Sequence, residues 1–249
     1  MHPILFTAGP IMLHTYGVML VAGFLAATWC AMSAARALPP ALVAISGDQI
    51  VDLACFCLLG GIIGGRLVFV ALHWPEFARA PWDVLAIWHG GLVWYGGFFG
   101  GLAAGVSFVR AKRLDAVRVM DQFIPFVALG HGIGRLGCFF NGCCFGTPTD
   151  AWCGVTFPGH PGPVWPTQLF ETLGLCVLYL ALRRLQQPAH LRHPGRVFGA
   201  YLVGYAGLRF VLESLRGDQS VWWAGLTLQQ VVSVGLLASG AALLARRRA

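Results

Sequence analysis

The chain has 249 residues, of which 57% are apolar and only 11% charged, and its mean hydropathy is +0.69. Such values exclude an ordinary soluble domain and predict one integral membrane domain over residues 1–249. The formal net charge of +7 is carried mostly by basic loops, which fits membrane topology and argues against nucleic acid as a partner.

Apolar runs of about 18–25 residues recur, each long enough to cross roughly 30 Å of hydrocarbon. They fall near about 10–32, 48–72, 87–109, 119–140, 168–185, 197–215 and 225–245, and predict an all-α polytopic membrane protein with about seven transmembrane helices. The first run lacks a basic leader and is too long for a signal-peptide core, so it is expected to remain as a span. Two similar glycine patterns follow, Gly60-Gly61-Ile62-Ile63-Gly64-Gly65 and Gly96-Gly97-Phe98-Phe99-Gly100-Gly101, of the kind that lets helices approach closely. Trp74 to Trp88, with Pro75, Pro81 and Trp82, reads as a loop at a membrane interface. Ala151 to Pro166 is too rich in Pro and Gly for a regular helix. Residues 33–47 and 186–196 read as short connections on the opposite side. Arg36, Arg110, Lys112, Arg113, Arg118, Arg183, Arg184, Arg192, Arg196 and Arg246 to Arg248 all fall on that second side if seven spans are threaded. The positive-inside rule then places the N-terminus outside and the C-terminus in the cytoplasm.

Arg66, Arg135 and Arg209 lie inside apolar runs and are left over by this topology. A guanidinium keeps its charge at membrane depth and calls for an anionic partner. For Arg209 a structural pair with Glu213, one turn on, is the plain alternative. Three such arginines among polar neighbours favour a shared anion site, and a lipid phosphate suits the forked donors of arginine. Arg135 sits in the richest stretch, from Gly130 and His131 through Cys138 and Asn141 to Cys143, Cys144 and Gly146. Tyr205, Arg209 and Glu213 share one helical face. Tyr16, following His14, is an interfacial anchor or a donor to a headgroup. Glu171 begins a helix, where capping is the plain reading. Cys30, Cys55, Cys57 and Cys176 read as small apolar packing residues. Cys138, Cys143, Cys144 and Cys153 form a C-x4-C-C-x8-C spacing that matches no strong zinc pattern, so no metal site is expected. A disulfide, or a redox or nucleophilic thiol, is the open alternative there.

The chain resembles the bacterial prolipoprotein diacylglyceryl transferases over nearly its whole length. The matching pieces are Gly9-Pro10 with His14-Thr15-Tyr16-Gly17; Gly64-Gly65-Arg66; Gly90-Gly91-Leu92-Val93-Trp94-Tyr95-Gly96-Gly97; Gly134-Arg135-Leu136-Gly137 with Asn141-Gly142; Pro166-Thr167-Gln168-Leu169-Phe170-Glu171; and Gly204-Tyr205 with Arg209 and Glu213. The resemblance implies transfer of the diacylglyceryl group of phosphatidylglycerol to the thiol of a lipobox cysteine in a prolipoprotein signal peptide. Glycerol 1-phosphate leaves, in the bacterial inner membrane and without metal or diffusible cofactor. It implies that Arg135 and Arg209 hold the phosphate. Tyr16, Asn141, Glu171 and Glu213 would place headgroup or peptide, or orient those arginines; Gln168 and Gly146 would bind substrate, with Arg66 as further polar support.

The chain departs from the family pattern at several of these positions. Tyr95 stands at a catalytic position where the family has histidine, Cys138 replaces an asparagine, Cys143 an acidic residue and Trp165 a histidine. A tyrosine with a reference pKa of about 10 is a poor base near neutral pH. The base is then His131, or His89, or the acceptor thiol ionises unaided beside the arginines. A thiol-dependent protein, redox-active or self-acylating, and a lipid-binding protein without turnover are the two other readings of the same scaffold.

Overall fold

A backbone in hydrocarbon has no water to bond, so each apolar run must satisfy its N–H and C=O groups internally. All seven runs coincide with helices in the computed structural model, which describes residues 4–8, 11–216 and 220–245. In chain order a hairpin of β1 (Ile4–Ala8) and β2 (Ile11–His14) leads into α1 (Thr15–Ala37). Then come α2 (Gly47–Leu72), α3 (Trp74–Phe77), α4 (Trp94–Ala111) and α5 (Ala116–Asn141). A short hairpin of β3 (Val155–Thr156) and β4 (Pro163–Val164) precedes α6 (Thr167–Leu185), α7 (Pro188–Leu191) and α8 (Arg196–Glu213). The last elements are β5 (Val221–Trp223), β6 (Leu226–Thr227) and α9 (Leu228–Ala245). Among the described residues, four stretches are long and apolar enough to cross a membrane: Thr15–Ala37, Pro40–Leu72, Ala116–Asn141 and Leu228–Ala245. Gly9, Pro10 and Arg246 to Arg248, used in the sequence reading, lie outside the described residues.

The edges of two runs shift. The first starts later, because residues before Thr15 pair as strands. The third starts later too, because Pro81–Leu85 and Ile87–His89 are short 3-10 turns and α4 begins only at Trp94. The segment from Ala151 to Pro166 is non-helical, as its prolines require.

Contacts divide the chain into two units, Met1–Val43 with Met120–Ala249, and Ala44–Val119. In the second unit α2 and α4 pack glycine on glycine. A Cβ at Gly64 would strike the carbonyl of Gly96, and one at Gly96 the carbonyl of Gly64; Gly60 and Gly100 are related in the same way. Absence of side chains lets the two backbones touch.

In the first unit α1 buries a stripe of small residues, Gly23, Ala27, Ala31 and Ala35, while Leu20, Val21, Leu25 and Trp29 face outward. Small residues inside and large apolar ones outside is the arrangement of a helix in lipid. Helices α1 and α5 meet where a Cβ at Gly130 would come within 3.0 Å of the Gly23 carbonyl. Helix α8 is anchored by Asp121, which is 2% exposed. Its carboxylate accepts from the backbone N–H of Gly195 and, at 2.7 Å, of Phe198. A carboxylate on the first amides of a helix both caps it and meets its positive dipole end.

Candidate active site

The antiparallel meeting of α1 and α5 sets the first residues of the site. Two turns from Gly23 and Gly130 respectively lie Tyr16 and Gly137, and a Cβ at Gly137 would be 3.4 Å from the Tyr16 ring. The Tyr16 ring therefore rests on α5 within a turn of Arg135, half-exposed.

Arg135 is 16% exposed and its Nη2 lies 2.7 Å from Oε2 of Glu171, which is 3% exposed. The other oxygen of Glu171 lies 3.6 Å from Nε2 of His131, one turn before Arg135. The capping reading of Glu171 is thus replaced by a long-range ion pair, because a buried arginine is a stronger partner than helix amides. On α8, Arg209 Nη2 lies 2.8 Å from Glu213 Oε2, the pair the helical spacing predicts. Glu213 is fully buried, and its second oxygen accepts from the hydroxyl of Thr227 at 3.0 Å.

The two pairs belong to one locality. The ring of His131 lies 5.6 Å from that of Tyr205, which stacks on Tyr201 at 5.7 Å. Both arginine charges act on His131 and on Tyr205. The shared anion site expected from the arginines carries no net positive charge here: two arginines and two carboxylates cancel. What remains is directional. Arg135 Nε and Arg209 Nη1 are buried without a hydrogen-bond partner among the described residues, as is Glu171 Oε1. Buried donors of this kind are costly unless something accepts from them.

Arg66 takes a different part. It is 7% exposed and lies in the second unit. Its Nε donates to the Val84 carbonyl at 2.9 Å and Nη1 to the Gly90 carbonyl at 2.7 Å. Further bonds run to Gly91, Asp83 and Ala86, and the guanidinium stands over the Phe69 and Phe77 rings. Its donors hold a loop closed. A cavity of about 200 Å³ opens beside it, but Glu76 and Asp83 are in the wall, which is unsuited to an anion. Tyr95, in the first turn of α4, is 56% exposed and packs edge-on against Trp94. The side chain of His89 lies outside what is described.

The end of α5 carries the remaining residues. Asn141 is its last residue and is exposed. Gly142 (φ 72°) and Cys144 (φ 64°) both take the left-handed backbone, unusual for cysteine, and this turns the chain back toward α5. Gln168, 1% exposed, donates to the Cys143 carbonyl at 2.6 Å, and Thr167 donates to that of Cys144 at 2.8 Å. Gly146 donates to the Trp165 carbonyl at 2.8 Å, and a Cβ there would meet the Leu215 carbonyl. Gln168 and Gly146 therefore hold the loop itself. All four cysteines of this region are free thiols. The sulfurs of Cys138, Cys143 and Cys144 lie within 4.8 Å of one another. The Cys144 thiol is held below its usual range, first by its hydrogen bond with Cys138, then by Cys143 and by the charges of Arg135 and Arg216.

Thr227 was not singled out from sequence, and Thr167 entered only as part of the Pro166 to Glu171 piece. For Thr227 a signal existed: Thr227-Leu228-Gln229-Gln230 is a capping box, and the Gln230 side chain accepts from the Thr227 N–H at 3.0 Å.

The family model described as prolipoprotein diacylglyceryl transferase matches residues 3–246. A phosphatidylglycerol–prolipoprotein diacylglyceryl transferase of Synechococcus elongatus is 35% identical, over 96% of this chain and 84% of that protein. Proteins of the same name from Bordetella parapertussis and Legionella pneumophila are 32% and 34% identical, covering 97% and 96% of this chain and 93% and 94% of theirs. With the Arg135 block, the Glu171 helix start and the Arg209–Glu213 pair all in place, the chain belongs to the prolipoprotein diacylglyceryl transferase family.

Proposed function

We propose that this protein transfers the diacylglyceryl group of phosphatidylglycerol to the cysteine thiol of a prolipoprotein signal peptide. The sulfur forms a bond to the glycerol carbon as the carbon–oxygen bond to phosphate breaks. The electron pair stays on the phosphate oxygen, and glycerol 1-phosphate leaves. The observation that carries this reading is the pair of buried, unpartnered donors, Arg135 Nε and Arg209 Nη1, on two arginines whose charges both act on His131. Donors already in place stabilise the charge that grows on the leaving phosphate.

His131 is the base in this reading, set beside Glu171 Oε1. The proton it takes from the acceptor thiol makes it cationic as the phosphate gains its second negative charge. The two changes offset one another, so the net charge of the site does not change during transfer. Tyr16 and Asn141 are assigned to headgroup and peptide contacts. The same reading takes seven helices across the bacterial inner membrane in one domain, the N-terminus outside and the C-terminus in the cytoplasm, with the peptide and lipid meeting at the outer leaflet.

The test uses purified protein in phosphatidylglycerol nanodiscs with a lipobox peptide. Mass spectrometry should find a diacylglyceryl thioether on the peptide cysteine. An unmodified peptide, beside a working control transferase, would sink the reading.

A further inference from the structure

The three converging cysteines at the end of α5 are not needed by the transfer reaction. Cys138 is buried one turn after Arg135, and Cys143 and Cys144 are folded back on it by the left-handed residues Gly142 and Cys144. The arrangement is held from several sides. The Cys143 N–H donates to the Cys138 carbonyl at 3.1 Å, and Gln168 and Thr167 hold the carbonyls of Cys143 and Cys144. Both of those residues open α6, the helix that carries Glu171. The backbone strain of a cysteine at φ 64° is therefore maintained by well-formed hydrogen bonds.

We propose that Cys138, Cys143 and Cys144 bind one Cu(I) ion through their three sulfurs. Their mutual separation within 4.8 Å matches a common centre, and the number is one more than a disulfide uses. Thiolates select soft ions, Cu(I) and Zn(II) foremost. Three sulfurs with no histidine or carboxylate in the group fall short of the four ligands of a closed zinc site, which favours the ion content with three. On binding, each sulfur exchanges its proton for a bond to the metal, and no electron is transferred. Arg135 and Arg216 supply positive charge beside the anionic sulfur set.

The test needs no transferase activity. Purified protein in detergent, kept anaerobic with ascorbate, is titrated with Cu(I) against a chromophoric chelator, and X-ray absorption counts the scatterers. One tightly held Cu(I) per chain with three sulfur neighbours is expected, retained in C153S. The C143S and C144S variants, which keep the shape of the side chain, should each lose one sulfur neighbour and at least ten-fold in affinity. Uptake unchanged in C143S and C144S, a site that saturates with Zn(II) but not with Cu(I), or an isolated protein in which two of the three thiols stay locked in a disulfide under reducing conditions would each overturn the assignment.

Discussion

Arg135 binds Glu171 through Nη2 at 2.7 Å while its own buried Nε has no partner among the described residues. The carboxylate orients the guanidinium on one edge and leaves another edge presented to a ligand. The ion pair and the binding function are thus compatible, since a guanidinium has five N–H donors and a carboxylate takes two at most.

The fork should matter more than the charge. Arg135→Lys keeps a cation but loses the Nε edge. Turnover is expected to fall by about 100-fold or more, with kcat and kcat/KM falling together, as for a donor that acts in the transition state. Wild-type kinetics in this variant would remove Arg135 from the phosphate site.

Glu171→Gln breaks a buried pair and leaves Arg135 unneutralised. Loss of one partner of such a pair costs about 3–5 kcal/mol. The thermal unfolding midpoint in detergent should drop clearly. An unchanged midpoint would show that the pair is not closed in solution.

Thr227 reaches Glu213 from across the β5–β6 hairpin, its hydroxyl donating at 3.0 Å. Thr227→Val removes a hydrogen bond to a charged group, worth about 1.5–3 kcal/mol, and frees Glu213 to turn from Arg209. Activity should fall and be restored in Thr227→Ser, which keeps the hydroxyl. Equal activities in the two variants would contradict the positioning role.

Close backbone contact between α2 and α4 makes Gly64 intolerant of even a methyl group. Gly64→Ala forces the Gly96 carbonyl aside, and overpacking of this kind costs about 1–3 kcal/mol. Gly235→Ala on α9 meets nothing within 4 Å and should be neutral or stabilising by up to about 1 kcal/mol. Thermal unfolding of the two variants, measured side by side, checks the contrast.

Helix placement was open to reading from the chain alone because it follows from local chemistry: an apolar run in lipid has to bond its own backbone. The Arg209–Glu213 pair was equally legible, being one turn of a helix. The glycine patterns of α2 and α4 announced a close contact, and the structure supplied each with the other as partner. Other features depended on chain folding between distant residues. Glu171 pairs with Arg135 only because α6 lies against α5, and Arg66 is held by loop carbonyls whose direction comes from 3-10 turns. The cysteine spacing resembled no metal motif, because two left-handed residues, not a regular interval, bring its sulfurs together. Local propensity and solvent thus determined the helices and the residue types available at depth. Tertiary packing decided which carboxylate met which arginine and which donors were left over, since a buried charge chooses its partner by what the fold places within reach.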